Sequence, residues 1–254
     1  MSDVDKKYIN AARFISKAGK VVAFTGAGIS VESGIPPFRG ENGLWQTYNP
    51  DHFHIQYFYD HPDKSWELMF KLFYEFFGRT KPNPAHYALS TMEKKGFLQA
   101  IITQNIDNLH QEAGSTLVFD FHGNLKNLLC TQCKKKTRFP EIKSEDIPPL
   151  CSACRGILKP DVVFFGENIS PRIYESSFRE VEEAHVVIVV GTTGEVMPAS
   201  LIPSLAKDNG AVIIEVNTKK SLFTDQITDI FLEGKASVEL THLCEALDLS
   251  GART

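Results

Sequence analysis

Four of the five cysteines in this chain stand in two closely spaced pairs. The pairs are Cys130-x-x-Cys133 and Cys151-x-x-Cys154, and positions 134–150 separate them. This spacing is typical of a zinc site in which each pair supplies two thiolates to one tetrahedral ion. Because thiolates would fill all four positions, no place is left for a water molecule, and the zinc would be structural rather than catalytic. The alternative is a set of four unpaired buried thiols.

A glycine-rich turn follows the first apolar run of the chain. Residues 21–24 lead into Gly26-Ala27-Gly28, and a strand that runs into Gly-x-Gly presents backbone N–H groups to a phosphate. A dehydrogenase would place a third small residue at position 31 and an acidic strand end about 20 residues later. Val31 occupies that position, and the next strand pattern begins only near residue 98. The sequence therefore predicts a bound nucleotide in a site that differs from that of a hydride-transfer enzyme.

Small and polar residues also follow other apolar runs. Carboxyl ends of parallel strands meet at one edge of a sheet, so these residues predict one crevice for a dinucleotide. Asn105 and Asp107 could instead form a helix-capping turn. His122 could be a structural histidine, or a base that removes a proton from a hydroxyl near neutral pH. The residues that follow the predicted strands in this way are Gln104, Asn105, Ile106 and Asp107, then His122, then Gly191, Thr192 and Thr193, and finally Asn217.

Strand and helix patterns alternate along the chain. Continuous apolar runs are typical of strands that are covered on both faces of a parallel sheet, and they occur at residues 21–24, 100–102, 162–165, 186–190 and 212–216. Helical periodicity occupies residues 6–18, 84–95, 172–184 and 199–208. The alternation predicts an α/β fold with a doubly wound, mostly parallel, Rossmann-like sheet.

Two segments interrupt this alternation. Residues 49–77 hold ten of the 27 aromatic residues, which predicts a helical module over the nucleotide site, although most of these rings could simply pack the module onto the sheet. The second segment holds the four paired cysteines. We therefore expect a single domain over residues 1–254, with a core at about 1–48, 84–124 and 160–254, a helical module at about 49–83 and a zinc module at about 125–159.

Composition limits the classes of function. A net charge of −4 gives no basic surface for nucleic acid, and no apolar run approaches the roughly 18 residues of a membrane span. The polar residues 1–7 do not resemble a secretory signal. We expect a cytoplasmic protein with reduced cysteines and without a membrane or direct nucleic-acid partner. The sequence does not specify the oligomeric state.

Taken in order along the chain, these motifs resemble those of the sirtuins. The resemblance covers residues 21–236 and implies an enzyme that consumes NAD while it removes an acyl group from lysine in a protein or peptide. The products would be nicotinamide, O-acyl-ADP-ribose and free lysine. The matching residues are Gly26-Ala27-Gly28-Ile29-Ser30, Gly34-Ile35-Pro36-x-Phe38-Arg39, Thr103-Gln104-Asn105-Ile106-Asp107-x-Leu109-His110, His122-Gly123, the four cysteines, Gly191-Thr192 and Asn217.

The resemblance also implies a role for each matched position. His122 would be the catalytic base that activates a ribose hydroxyl, and Asn105 and Asp107 would be catalytic residues that hold the nicotinamide end and the ribose. Other contacts to NAD would come from Gly26, Ala27, Gly28, Phe38, Arg39, Gln104, Ile106, Gly191, Thr192, Thr193, Asn217 and Ala236. The acyl-peptide would add as a strand between Val162, Val163, Phe164, Phe165 and Gly166 on one side and Gly194, Glu195 and Val196 on the other.

The helical module bears on the acyl group. Sirtuins that prefer succinyl or malonyl groups carry a Tyr-x-x-Arg pair in this module. Here Tyr74 is followed at that distance by Phe77, and a second alignment places Met69 and Leu72 at the two positions. A buried carboxylate without a partner costs on the order of several kcal/mol. We therefore predict neutral acyl groups, acetyl or longer.

Other functions could use the same crevice. Protein ADP-ribosyl transfer shares every step up to the loss of nicotinamide, and the sequence does not exclude it. A non-catalytic sensor of NAD or ADP-ribose would need no base, so the presence of His122 together with Asn105 and Asp107 argues against it. A dehydrogenase is the weakest alternative, because the third small residue and the acidic strand end are both absent.

Overall fold

Nine strands form two sheets in the computed structural model, which describes residues 3–38, 43–76, 80–139 and 146–249. Four of the five continuous apolar runs became strands of the larger sheet, as their β-branched composition favours. In chain order the strands are β1 (Val21–Thr25), β2 (Ala100–Thr103), β3 (Val118–Asp120), β4 (Gly123–Cys130), β5 (Lys136–Arg138), β6 (Leu158–Val162), β7 (Val186–Val190), β8 (Val212–Asn217) and β9 (Ile230–Glu233).

The larger sheet has six strands in the order β3-β2-β1-β7-β8-β9, and all neighbouring strands are parallel. The chain runs outward from β1 in one direction and from β7 in the other, which is the Rossmann strand order. The predicted doubly wound parallel fold is confirmed. This order opens a crevice at the carboxyl ends of β1 and β7, where ligands of such sheets bind.

Helices cover both faces of the larger sheet. Val21 and Ala23 of β1 pack into one hydrophobic cluster with the helices at Asp3–Lys17, Pro84–Lys94 and Ala236–Leu249. Val22 and Phe24 pack into another with the helices at Pro171–Glu182 and Leu201–Asp208. Burial on both faces explains why β1 reads as an unbroken apolar run. In chain order the helices are α1 (Asp3–Lys17), α2 (Leu44–Thr47), α3 (Ile55–Asp60), α4 (Pro62–Met69), α5 (Pro84–Lys94), α6 (Leu109–Glu112), α7 (Pro171–Glu182), α8 (Leu201–Asp208) and α9 (Ala236–Leu249).

The apolar run at residues 162–165 is not a strand of the larger sheet, so that prediction was wrong. Its first residue, Val162, ends β6, which pairs antiparallel with β4 in the small sheet β5-β4-β6. The next residues leave the sheet as a loop. Val162 and Phe164 are apolar because they are buried between the small sheet and the helical module. A short apolar run does not reveal which sheet buries it.

Several aromatic residues of the helical module serve its packing. Trp66 is fully buried, and its indole N–H donates a 2.7 Å bond to the carbonyl of Leu158. Tyr74 stacks on Phe139 with 3.9 Å between the ring centroids. One hydrophobic cluster thus includes residues of both the helical and the zinc module. After α4 the chain widens into a π-helical turn over Phe70–Phe76.

The division of the chain into a core, a helical module and a zinc module stays a proposal. Within the described residues, no helix combines the length and the apolar character that crossing a membrane requires.

Candidate active site

A cavity of about 970 Å³ lies at the carboxyl ends of β1, β2, β7 and β8. His122 lines it. The predicted NAD contacts that line it are Gly26, Ala27, Gly28, Phe38, Gln104, Asn105, Ile106, Gly191, Thr192, Thr193, Asn217 and Ala236. Asp107 does not line the cavity and lies just behind its wall, and Arg39 falls outside the described residues. Residues from four distant parts of the chain therefore form one site.

Gly26 and Gly28 allow the ends of β1 and β7 to approach each other closely. A Cβ atom on Gly28 would lie 2.6 Å from the Cα of Gly191, and one on Gly26 would lie 2.8 Å from the Cβ of Thr192. The N–H of Gly26 donates to the carbonyl of Val190, and the N–H of Gly28 donates to the carbonyl of Gly191. The contact between two strand ends therefore requires glycine at both positions.

His122 has one ring nitrogen fixed by the backbone. Its Nδ1 lies 3.1 Å from the carbonyl oxygen of Gln104, and a carbonyl can only accept, so Nδ1 carries the proton and Nε2 is the basic nitrogen. Burial lowers the pKa of His122, and the bond to Gln104 opposes that shift. The ring is therefore neutral at pH 7, which is the form that a general base requires.

A serine hydroxyl links the two polar residues that follow β2. Ser30 donates a 2.8 Å bond to Oδ2 of Asp107, and the Asn105 amide donates to Ser30 Oγ at 3.2 Å and to the carbonyl of Gly26 at 3.1 Å. Oδ1 of Asp107 accepts the backbone N–H of Leu109 at the start of α6. Asp107 thus binds the first N–H of α6 as well as the Ser30 hydroxyl. Burial raises its pKa, and the two donors oppose that rise.

Two buried histidines, His86 and His110, lie behind this network. His86 Nδ1 accepts the N–H of Asn83, so its Nε2–H points to Ser30 Oγ, 3.4 Å away. His110 Nε2 lies 2.9 Å from Thr25 Oγ1, and the two imidazole centroids are 5.0 Å apart. Burial lowers the pKa of His86 to about 4 and that of His110 well below its ordinary value. No local pattern links residue 30 to residue 86.

Most residues predicted to contact the acyl-peptide lie together. Val162, Val163, Phe164, Phe165, Gly166 and Val196 line the cavity, whereas Gly194 and Glu195 are not among its lining residues. The backbone of Phe165 exchanges two hydrogen bonds with the helical module, to the carbonyl of Phe53 at 3.1 Å and from the N–H of Ile55 at 2.9 Å. The loop is therefore tied to the module that covers the site.

The cavity has an aromatic end. Trp45, Phe53, Phe73 and Phe165 all line it, with ring centroids 5.0 Å apart for Trp45 and Phe53 and 6.0 Å for Phe53 and Phe73. Among the described lining residues there is no arginine. Met69 and Leu72 are buried in the cluster beneath, Tyr74 stacks on Phe139, and Phe77 lies outside the described residues. The sequence analysis did not single out Phe73, which the π-helical turn presents to the cavity.

The four paired cysteines converge as predicted. Their Sγ atoms lie within 4.8 Å of one another, with 3.4 Å between Cys130 and Cys154 and 3.7 Å between Cys133 and Cys151. Zn–S bonds of about 2.3 Å in a tetrahedron put sulfurs about 3.8 Å apart, so the cluster fits a zinc ion. None of the four lines the cavity, which supports a structural role for the metal.

Comparison with known proteins places the chain in a well-populated group. Residues 26–198 match the model of the Sir2 family. A relative from Pyrococcus abyssi, named NAD-dependent protein deacylase, is 43% identical over 242 residues, which cover 92% of this chain and 96% of the relative.

Solved structures are similar over nearly the whole fold. A Sir2 homolog in complex with NAD is 38% identical, with a TM-score of 0.89 and coverage of 95% of this chain and 94% of that one. A complex of Sir2 with a p53 peptide and NAD⁺ is 32% identical, with a TM-score of 0.84 and coverage of 94% and 98%.

Proposed function

The chain belongs to the Sir2 family and is an NAD-dependent protein deacylase, and we propose that His122 is its general base and that the acyl groups it removes from lysine are neutral. The observation that carries the proposed role of His122 is its bond to the Gln104 carbonyl, which leaves Nε2 as the basic nitrogen of a neutral, buried ring in the cavity wall. A sensor of NAD would not need a base prepared in this way.

NAD, when bound, would supply a leaving group in its nicotinamide and an acyl acceptor in its ribose. Within the chain, the Asn105 amide is held by Gly26 and Ser30, so it stands pre-oriented for the nicotinamide end of the cofactor. Ser30 and Leu109 hold the Asp107 carboxylate. His122 would take the proton of a ribose hydroxyl at Nε2, and positioning by fixed donors costs no reorganisation during the reaction.

The substrate is acylated lysine in proteins. We propose that the peptide runs along Val163 to Gly166 and past Val196, and that the acyl chain enters the aromatic end of the cavity at Trp45, Phe53 and Phe73. Gly194 and Glu195 stay in the proposal as contacts outside the cavity wall, and Arg39 as a contact to NAD. A cytoplasmic location, without membrane or nucleic-acid partners, stays a prediction from the composition.

One incubation tests this function. The protein is mixed with NAD and an acetyl-lysine peptide, and nicotinamide and the peptide mass are followed together. We expect one nicotinamide for each acetyl group lost, in the wild type and in a His185→Ala control, because His185 is exposed and does not line the cavity. His122→Ala should lose turnover.

The other outcomes separate the alternatives. Nicotinamide release with a mass gain on protein would indicate ADP-ribosyl transfer instead. NAD binding without nicotinamide release, with acetyl and longer acyl peptides alike, would favour a sensor.

A further inference from the structure

Lys159 is a buried lysine in β6, with an exposed fraction of only 5%. Its Nζ donates to the carbonyl of Val162 at 2.8 Å and to that of Pro160 at 3.3 Å, and it pairs with Oε2 of Glu167 at 2.8 Å. Lys159 itself does not line the cavity, although Val162 and Glu167 do. A charge is thus buried directly behind the loop at residues 162–167.

Glu167 closes this loop from the other end. The same oxygen that binds Lys159 also accepts the N–H of Phe164 at 3.0 Å, and the N–H of Glu167 donates to the carbonyl of Phe164 at 3.0 Å. Gly166, at φ +82°, provides the left-handed residue that the return of the chain needs. The Lys159 ammonium also lies 4.6 Å from the centre of the Phe164 ring. One ion pair therefore fixes both ends of the loop.

The loop that this pair holds connects to the catalytic side of the cavity. The N–H of Val163 donates a 2.8 Å bond to the carbonyl of His122, and the backbone of Phe165 bonds to the helical module. Val163, Phe164, Phe165 and Gly166 form the wall along which the acyl-peptide is proposed to lie. The position of Lys159 and Glu167 therefore sets the position of that wall relative to His122.

Stability alone does not account for this arrangement. Replacing a buried ion pair with apolar side chains of similar size is often neutral or stabilising, because two charges must lose their water. A loop held in its binding conformation, in contrast, lowers the entropy that the peptide must overcome when it binds. The second effect is specific to a loop that receives a ligand.

We propose that Lys159 and Glu167 are positioning residues that pre-form the loop at 162–167 for the acyl-peptide. The inference rests on the proposed function, since it assigns this loop to the peptide. Neither residue takes part in proton transfer, and their effect on turnover acts through the loop backbone.

The test uses the full chain with three variants: Lys159→Met, Glu167→Gln and the double variant Lys159→Met/Glu167→Gln. The acyl-peptide affinity is measured by calorimetry, and the KM values for peptide and for NAD are measured from turnover. The matched control is Lys20→Met, which removes a lysine that pairs with Glu180 and Glu183 at 2.9 Å, at the end of β1 away from the cavity.

We expect Lys159→Met and the double variant to weaken peptide binding and raise the peptide KM by about tenfold or more, since bonds to a charged group are lost. The KM for NAD should stay within about twofold in all variants, and Lys20→Met should leave both values unchanged. The double variant leaves no unpaired buried charge, so its midpoint of thermal unfolding should recover relative to Lys159→Met while its peptide KM does not.

Two results would overturn the proposal. One is a folded double variant with wild-type peptide affinity. The other is a peptide KM that recovers together with stability, which would make the pair merely structural. Peptide affinity is measured without turnover, so a wild type that binds the peptide but does not deacylate it would contradict the proposed function and leave this inference testable.

Discussion

The proposed role of His122 as general base makes the reactivity of the candidate site depend on the protonation state of its ring. Burial lowers its pKa, and a base works only when unprotonated, so the acidic limb of the activity profile should move to lower pH. We predict that kcat/KM for an acetyl-lysine peptide reaches half of its maximum below pH 6.5, the ordinary pKa of histidine. Initial rates between pH 5 and 8 measure this limb. Half-maximal kcat/KM at or above about pH 6.5 would contradict the assignment.

The hydroxyl of Ser30 is bonded to both Asp107 and Asn105, so a single substitution tests its contribution. In Ser30→Ala, Asp107 loses a donor and Asn105 loses an acceptor, and an unsatisfied buried polar group costs about 1–3 kcal/mol. We expect kcat/KM to fall by about tenfold to a hundredfold. Steady-state rates are compared with those of Ser177→Ala, which removes a buried hydroxyl on α7 that does not line the cavity. Equal rates in the two variants would show that the Ser30 hydroxyl does not position Asp107 or Asn105 for the reaction.

At the scale of elements, two neutral imidazoles connect helices to the first strand and the turn after it: His110 of α6 contacts Thr25 of β1, and His86 of α5 contacts Ser30. The folded pKa of His86 is about 4, below the unfolded value of 6.5, so the unfolded chain binds a proton first as the pH falls. Stability from this residue is therefore complete above pH 6.5 and is lost as the pH falls toward 4. The loss from His86 alone is about 2 kcal/mol at pH 5.

Urea unfolding at pH 7 and at pH 5 measures this effect. His86→Gln keeps an acceptor for the N–H of Asn83 but has no proton to bind, so the pH dependence of its free energy of unfolding should be smaller than that of the wild type. An equal pH dependence of the free energy of unfolding in both proteins would show that His86 is accessible to protons in the folded state.

The small sheet depends on the cysteine cluster. β4 ends at Cys130, and the cluster lies at the end of the sheet where β4 and β6 meet. We predict one zinc ion per chain by metal analysis, and a lower midpoint of thermal unfolding after chelation, because metal binding is coupled to folding. The peptide KM should rise in the chelated protein, since β6 leads into the loop at residues 162–167, which we propose contacts the peptide. A chelated protein with unchanged stability and KM would show that the metal has little structural role.

At the scale of the whole molecule, three separate parts of the chain build the aromatic end of the cavity, where we propose that the acyl chain lies. Phe53 and Phe73 come from the helical module, Phe165 from the loop after the small sheet, and Ile106 from the end of β2. Their meeting leaves an apolar space, and none of the described residues supplies an arginine there. Acyl selectivity is therefore a property of the assembled fold.

We predict that a succinyl-lysine peptide is deacylated with a kcat/KM at least about a hundredfold below that of the acetyl peptide, because its carboxylate would be buried without a partner. The matched control is the same peptide with a succinamide group, which is similar in size and neutral and should be processed far better. Succinyl and acetyl peptides processed at similar rates would contradict the prediction.

Local sequence patterns predicted much of the fold and of the candidate site. Unbroken apolar runs identified β1, β7 and β8 because strands buried on both faces need apolar residues at each position. The spacing of Cys130, Cys133, Cys151 and Cys154 identified the metal cluster, since two ligands in one short turn share a metal by geometry alone. Polar residues at strand ends located the crevice, because topology brings these ends together.

Tertiary structure decided the pairings between residues far apart in the chain. The run at 162–165 reads like a core strand, yet packing assigns Val162 to the small sheet and the following residues to a loop. The contacts of Ser30 with His86, and of Gly28 with Gly191, join segments that have no local pattern in common. Sequence periodicity records that a residue is buried, but the identity of its neighbour depends on how distant elements pack. For that reason the sequence by itself determined the four cysteine ligands and the polar strand ends. Only the tertiary structure determined which distant residues hold these groups in place.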